Sequence, residues 1–257
     1  MAAGFPKTQQ SFTSRVPQRT GADASGVIAP GWLPRRSVWF VPVFAVVGLC
    51  PLLLALQLHF HTALGVFSAF DIANRHSHGT SIICLGDSLT QGVGASPGHD
   101  YPTLLSKTLG AEVINAGVDG DETEDALKRL DTDVLAKDPR LVIVELGAND
   151  FLDGRPLRQT FANLDEIVSR IEATGAMVAL VGIAPGPMGD ALQKDYDEIV
   201  RKRRIVFVPK VLEGILSDRR LKNSDGLHPN NQGYALIAER IHQEIEPLLI
   251  SGRGSQR

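Results

Sequence analysis

Five short apolar runs, separated by polar turns and helical patterns, constrain the fold of this 257-residue chain more than any other feature. The runs are rich in Val and Ile and lie at residues 81–85, 112–116, 141–146, 177–183 and 205–209. Helical periodicity is clearest at residues 157–174, 191–203 and 232–249. Short continuous apolar runs predict strands buried on both faces, and their alternation with helices predicts a parallel sheet. We therefore expect an α/β protein with three layers, α/β/α, built around a five-stranded parallel sheet.

Three polar segments carry residue types that can perform acyl transfer. Ser88 lies in Gly-Asp-Ser-Leu directly after the first apolar run, and Asn149 lies in Gly-Ala-Asn-Asp after the third. Asp225 precedes His228 by three residues near the end of the chain. Ligands of open parallel sheets bind beyond the carboxyl ends of the strands, so we expect Ser88 and Asn149 on one rim. A serine, an amide donor and an Asp/His pair are the components of a serine hydrolase.

These blocks resemble the GDSL esterases and lipases, the SGNH hydrolase superfamily, and within it the thioesterase/arylesterase/lysophospholipase branch. The resemblance covers about residues 80–250, with four blocks in the family's order. It implies Ser88 as the nucleophile, His228 as the base that later protonates the leaving group, and Asp225 as the residue that orients His228. It also implies the flavodoxin-like SGNH version of the three-layer fold, and neither a metal nor an organic cofactor.

The resemblance also implies an oxyanion hole with three donors. These are the backbone N–H groups of Ser88 and a glycine, and the side-chain amide of Asn149. The glycine is Gly120 in the segment Asn-Ala-Gly-Val-Asp-Gly-Asp, with Gly117 as the alternative. Loss of one such donor typically costs ~3 kcal/mol of transition-state stabilisation.

Simpler structural roles remain open for some of these positions. Ser88 is also a suitable N-cap for a helix after the first strand. We interpret Asp87 and Asp150 as residues that shape their loops through backbone hydrogen bonds. Ser96 satisfies the G-x-S-x-G pattern of a different hydrolase fold. No strand precedes it and Pro97 lacks the N–H which that site uses, so Ser96 is predicted to be a loop residue.

The N-terminal part differs in composition from the rest of the chain. Residues 1–36 carry five basic side chains and one acidic side chain, which predicts a disordered basic tail. Residues 37–58 are 22 uncharged residues, and a helix of that length spans roughly 33 Å, enough to cross a membrane. Arg35 and Arg36 precede it, so the positive-inside rule predicts a cytoplasmic N-terminus and an outer (periplasmic or extracytoplasmic) hydrolase domain. Secretion after signal cleavage near Gly65 is the alternative.

The remaining segments complete the expected organisation. Residues 59–78 would link the membrane helix to a hydrolase domain at 79–251, and residues 252–257 would form a C-terminal tail. Protease added outside intact cells should digest the domain and spare the basic tail if this topology holds. The chain beyond residue 70 carries a net charge of −7, which excludes a basic surface for nucleic acid. Cys50 and Cys84 both lie in apolar segments and suggest no disulfide framework.

Together these features predict a membrane-anchored serine hydrolase that cleaves acyl ester or thioester bonds. By resemblance, its substrates would be aryl esters, short to medium acyl esters, acyl thioesters or lysophospholipids. A carbohydrate O-acetylesterase of the cell envelope is an alternative, although Trp32 and Trp39 lie outside the domain and cannot stack on sugars there. A non-catalytic anchored binding protein is a second alternative, disfavoured because the nucleophile, base and amide are all present.

Overall fold

The computed structural model of the protein describes residues 71–183 and 186–250, and within them a single parallel sheet. Its five strands are β1 (Ser81–Gly86), β2 (Val113–Gly117), β3 (Pro139–Glu145), β4 (Met177–Val181) and β5 (Val206–Val208). The strands lie in the order β2-β1-β3-β4-β5, and every pairing is parallel. This is the flavodoxin-like order, so the expected five-stranded parallel sheet is confirmed.

The central strands are mainly apolar because both faces of the sheet are covered. Successive side chains of a strand point to opposite faces. Cys84 of β1 accordingly joins one core cluster, while its neighbour Leu85 joins the other. In β3, Ile143 and Val144 divide between the two clusters in the same way, and all four side chains are fully buried. Burial on both faces explains why these strands show no polar alternation in the sequence.

The helices form the two outer layers. They are α1 (Ser88–Gln91), α2 (Tyr101–Leu109), α3 (Thr123–Asp133), α4 (Ala148–Leu152), α5 (Leu157–Glu172), α6 (Gly186–Arg203) and α7 (Asn231–Ile250). Helix α2 packs against α7 on one face, whereas α5 packs against α3 and α6 on the other. The predicted helices at 157–174, 191–203 and 232–249 are confirmed, with boundaries that differ by a few residues.

The expected basic tail at 1–36, the membrane helix at 37–58 and the tail at 252–257 lie outside the described residues. In the part of the chain that the structure does describe, no helix is long and apolar enough to cross a membrane. Residues 71–78, the part of the expected linker that the structure describes, contact the rest of the domain. Ile72 is buried in the core, and the Asn74 side chain donates to two backbone carbonyls at 2.8 and 2.9 Å.

The register between β1 and β3 places two loops side by side. Gly86, the last residue of β1, is the in-register partner of Glu145, the last residue of β3. A side chain at Gly86 would collide with the Thr90 side chain and the Glu145 backbone, so only glycine permits this close approach. Ser88 therefore lies two residues beyond the end of β1, and Asn149 lies four residues beyond the end of the adjacent strand β3.

Candidate active site

Ser88, His228 and Asp225 form one hydrogen-bonded series at the carboxyl edge of the sheet. The Ser88 Oγ atom lies 3.1 Å from His228 Nε2, and His228 Nδ1 lies 2.8 Å from Asp225 Oδ2. Ser88 is buried, the His228 side chain is 15% exposed and the Asp225 side chain is 41% exposed. The structure thus brings together three residues that the sequence separates by up to 140 positions.

The N-terminal cap of α1 is Asp87, and not Ser88 as the alternative interpretation of the sequence would have it. The Asp87 side chain accepts a hydrogen bond from the Leu89 N–H at 2.9 Å. Ser88 is the first residue of the helix, and its hydroxyl faces His228. The Ser88 hydroxyl is therefore not the cap of this helix.

Asp225 orients both the backbone and the ring of His228. Its Oδ1 atom accepts the N–H groups of Leu227 at 2.9 Å and His228 at 3.0 Å, while Oδ2 faces the imidazole. Hydrogen bonds from the His228 backbone and ring, and then from the Leu227 backbone, lower the pKa of Asp225 to about 2. Asp225 is therefore ionised at neutral pH, and its three-residue spacing from His228 is what allows these bonds.

The Asn149 amide lies beside Ser88. Its Nδ2 atom donates to the Asp121 carbonyl at 2.9 Å and to Asp87 Oδ2 at 3.4 Å. Asn149 and Ser88 line the same pocket. The expectation that the first and third strand ends share one rim is therefore met.

The two candidate glycines in the loop after β2 have different environments. The Gly117 N–H donates to Asn115 Oδ1 at 2.9 Å, and a side chain at Gly117 would collide with the backbone of α1. Gly120 has φ of 83°, a conformation that favours glycine, and has open space where a Cβ would lie. Gly117 thus has a packing role. Gly120 is next in sequence to Asp121, whose carbonyl binds the Asn149 amide.

Two loop contacts support these strand-end residues. Asp150 is buried and accepts hydrogen bonds from the Thr123 N–H at 2.9 Å and the Thr123 hydroxyl at 2.5 Å. Arg129 donates to Asp121 at 2.6 Å and to the Gly86 carbonyl at 3.0 Å. The loop-shaping interpretation of Asp150 is consistent with these bonds. Sequence reasoning missed Arg129, because the sequence of a helix does not show which arginine will bind the residues of a neighbouring loop.

A buried carboxyl pair lies beneath the site. Asp87 and Glu145 are each 1% exposed. Burial raises the pKa of Asp87 to about 6, and burial together with the charge of Asp87 raises the pKa of Glu145 well above its usual range. Glu145 Oε2 accepts the Thr90 hydroxyl at 2.8 Å. Sequence reasoning missed Glu145, although an acidic residue inside an apolar strand run was the available signal.

An apolar pocket of about 220 Å³ opens beside Ser88. Two of its aromatic side chains, Phe161 and Tyr196, pack edge to face with ring centroids 5.0 Å apart. Its non-polar lining consists of Leu89, Leu146, Gly147, Ala148, Phe151, Leu152, Leu157, Phe161, Leu164, Ile183, Leu192, Leu212, Leu216 and Leu227. Besides the polar residues hydrogen-bonded around Ser88, Thr160 and Tyr196 are the polar members of the lining among the described residues.

Ser96 and possible metal ligands were the other candidates for a functional site. Ser96 lies in a loop, where its N–H donates to Asn231 Oδ1 at 2.8 Å, and it does not line the pocket. This agrees with its prediction as a loop residue. Within residues 71–183 and 186–250, no three His, Cys, Asp or Glu side chains cluster as metal ligands.

The fold and this side-chain arrangement define a class, the α/β hydrolytic enzymes with a serine at the carboxyl end of a parallel sheet. A family model described as GDSL-like Lipase/Acylhydrolase matches residues 84–236, more than half of the chain. The chain therefore belongs to the GDSL-like lipase/acylhydrolase family, and it is a carboxylic-ester hydrolase.

Similar proteins agree with this assignment. The arylesterase of Vibrio mimicus is 31% identical over 193 residues, which cover 71% of this chain and 96% of that protein. The Escherichia coli K12 protein named thioesterase 1/protease 1/lysophospholipase L1 is 30% identical over 176 residues, covering 66% and 85%. A crystal structure of TesA aligns with a TM-score of 0.62 at 30% identity, over 65% of this chain and 99% of that one. The resemblance to the esterase/thioesterase branch and the SGNH-like fold are thus confirmed.

Thr160 gives a stability prediction that also tests the pocket. Its hydroxyl oxygen is buried without a hydrogen-bond partner in the described part of the chain. Thr160→Val removes this unpaired group at nearly constant volume, so we expect stability to rise by about 1 kcal/mol and Tm by roughly 3 °C. Thermal unfolding measures the gain, and ester hydrolysis should be unchanged.

Thr90→Val is the matched control, because the Thr90 hydroxyl is hydrogen-bonded to Glu145 at 2.8 Å and Tyr101 at 2.7 Å. That substitution should lower stability, since it leaves buried partners unpaired. If Thr160→Val instead reduced kcat without changing Tm, the hydroxyl would be a contact for the substrate, and its interpretation as an unpaired group would be wrong.

Proposed function

We propose that this protein hydrolyses acyl esters and acyl thioesters with Ser88 as the nucleophile, and that it favours acyl chains longer than acetyl. The observation that supports this most directly is the hydrogen-bonded series Ser88–His228–Asp225, which lies at an apolar pocket. Serine, imidazole and carboxylate in this order are the components of nucleophilic acyl transfer.

In the proposed reaction, Ser88 Oγ attacks the acyl carbon while its proton passes to His228 Nε2. The ionised Asp225 stabilises the imidazolium that forms and keeps the ring in the tautomer that accepts at Nε2. His228 then protonates the leaving alcohol or thiol as the acyl–oxygen or acyl–sulfur bond breaks. A water molecule, deprotonated by His228, cleaves the acyl-Ser88 ester and regenerates the hydroxyl.

The proposed oxyanion hole consists of the Ser88 and Gly120 backbone N–H groups and the Asn149 side-chain amide. In the described residues neither backbone N–H has a hydrogen-bond acceptor, so both remain available for a substrate oxygen. The Asn149 amide already donates to Asp121, and its contact with Asp87 is long at 3.4 Å. That longer bond is the one an oxyanion would replace.

The rim of the pocket supports an amphiphilic acyl substrate. Among the described residues, five large apolar side chains are at least 40% exposed, and four of them line this pocket. The four are Phe151, Leu152, Leu157 and Leu227. An apolar pocket with an apolar rim suits a lipid-like acyl chain, and the similar Escherichia coli protein carries thioesterase and lysophospholipase in its name. The sparse polar lining disfavours a carbohydrate acetylesterase. Membrane attachment through residues 37–58 stays a prediction from the sequence.

Hydrolysis of nitrophenyl esters from two to sixteen carbons by the full-length protein tests this function. Each methylene buried contributes about 0.8 kcal/mol, so kcat/KM should rise about fourfold per methylene until the pocket is full. Acyl thioesters and lysophosphatidylcholine, assayed beside them, identify the leaving group. Turnover limited to acetyl esters would contradict a role for the pocket in acyl binding.

Two exposed apolar residues offer a matched pair for the same assay. Leu152 is 60% exposed on the rim, whereas Val118 is 41% exposed and does not line the pocket. Leu152→Ser should therefore reduce kcat/KM for long esters and spare acetyl esters, while Val118→Ser should leave both unchanged.

A further inference from the structure

Two buried carboxyl groups meet between the strand ends that carry Ser88 and Asn149. Asp87 follows β1 and Glu145 ends β3, and their side chains are within hydrogen-bonding reach of each other. Both are 1% exposed, and no lysine or arginine of the described residues is among the groups that act on either carboxyl. Two carboxylates in contact without a cation cannot both ionise at low cost, so they share one proton.

The hydrogen bonds decide which residue carries that proton. Asp87 accepts the Leu89 N–H at 2.9 Å and the Asn149 amide at 3.4 Å, and such donors favour its ionised form. Glu145 receives the Thr90 hydroxyl on Oε2 and a weaker contact from the Asp87 backbone, while its Oε1 atom is buried with no conventional donor. A proton on Glu145 Oε1 satisfies that atom and gives Asp87 a third donor. The charge therefore lies on Asp87 and the proton on Glu145.

We propose that Glu145 is a positioning residue: it stays protonated at neutral pH, donates to Asp87, and so fixes the carboxylate that orients the Asn149 amide beside Ser88 before the oxyanion forms. This role rests on the proposed function, in which Asn149 binds the oxyanion. Glu145 touches no substrate and acts only through Asp87. When Glu145 ionises, a second negative charge beneath Asn149 opposes formation of the oxyanion.

The groups that face this pair define where its titration can be observed. Asp87 is faced by Glu145, His228 and Asp121. Four other titratable side chains interact with Glu145, and burial raises the pKa of each: Cys84, Tyr101, Tyr196 and Tyr234. Glu145 loses its proton as the pH rises, so the alkaline side of the kcat profile is the side that reports on it.

The first test compares wild type with Glu145→Gln and Glu145→Leu, all full-length, on a soluble short-chain ester across pH. Glutamine can donate to Asp87 from Nε2 and accept from Thr90 on Oε1, so its kcat at pH 7 should stay within about twofold of wild type. Above neutrality the wild-type kcat should fall, whereas the Glu145→Gln kcat should not. Leucine offers no donor, so its kcat should fall about tenfold with KM little changed.

A second measurement is independent of activity. A buried carboxyl with a raised pKa stabilises the fold below its unfolded pKa, and that stabilisation is lost as pH rises toward the folded value. Glutamine does not titrate, so Glu145→Gln should have a higher Tm than wild type at pH 8, with the gap closing toward pH 4. This readout holds even if Glu145→Leu folds poorly.

Three results would overturn the role of Glu145. They are a Glu145→Gln kcat at pH 7 as low as that of Glu145→Leu, identical alkaline limbs in wild type and Glu145→Gln, or a Tm difference that does not change with pH. Failure of the proposed function is distinguishable, because it would appear as turnover retained by Ser88→Ala. An inactive Ser88→Ala together with any of the three results means that only the inference about Glu145 is wrong.

Discussion

Ser88→Ala is expected to lower kcat by about 10⁴- to 10⁶-fold, because it removes the proposed nucleophile. The fold should be retained. The Ser88 hydroxyl is hydrogen-bonded to His228, and the cap of α1 is supplied by Asp87. Hydrolysis of a medium-chain nitrophenyl ester measures the loss, and thermal unfolding establishes that the domain is intact.

Ser96→Ala is the matched control for that substitution. Ser96 lies in a G-x-S-x-G pattern only eight positions away, yet its described hydrogen bonds involve only its backbone N–H and carbonyl, and none involves its hydroxyl. The variant should keep wild-type turnover. Activity that survived Ser88→Ala and disappeared in Ser96→Ala would assign the nucleophile to Ser96 and refute the proposed site.

Asp225→Asn is expected to lower kcat by about 10⁴-fold through the tautomer of His228. The asparagine Oδ1 atom can still accept the N–H groups of Leu227 and His228, so the turn is preserved. Its amide nitrogen would then face His228 Nδ1, which must become an acceptor. The ring proton moves to Nε2, where it prevents His228 from accepting the Ser88 proton. The measurement is kcat on the same ester at neutral pH.

Asp218→Asn is the control for charge and local hydrogen bonding. Hydrogen bonds from Arg220 lower the pKa of Asp218 to about 2, which resembles the value of Asp225 but has a different cause. Asp218 lies outside the pocket, so its replacement should leave kcat unchanged. Equal losses in the two variants would attribute the effect to the turn or to surface charge rather than to His228. A near-normal kcat in Asp225→Asn would remove Asp225 from the proposed mechanism.

The sheet could be predicted from the sequence because each strand is indicated by a short, local run of residues. Residues 141–146 are apolar except for Glu145, and a run of that length followed by glycine is typical of a buried strand. Five such runs separated by helical patterns leave few topologies apart from a parallel three-layer sheet. The strand ends were less certain. The run at 177–183 gave a strand that ends at Val181, since hydrophobicity continues into the loop while sheet pairing does not.

The site divides between local and long-range determinants. The spacing of Asp225 and His228 is visible in the sequence because one turn produces their contact. The structure separates the environments of Gly120 and Gly117, which have the same chemistry. Gly117 donates its N–H to Asn115 and approaches α1 closely, whereas the oxyanion role of Gly120 stays a prediction. Glu145 was overlooked because its role depends on contact with the carboxylate of Asp87, which is 58 positions away in the sequence.

By itself, the sequence determined the secondary-structure pattern, the family blocks and the identities of the candidate residues. These depend on periodicity and spacing within short windows, where chain connectivity alone limits the geometry. Only the tertiary structure decided which groups share a proton, which N–H groups remain without an acceptor, and which apolar side chains line one pocket. The register of β1 on β3 brings Gly86 beside Glu145 and thereby sets the partners of Asp87 and Asn149. Burial and the loss of water then fix the charges there, and these are properties of the packed chain rather than of any segment.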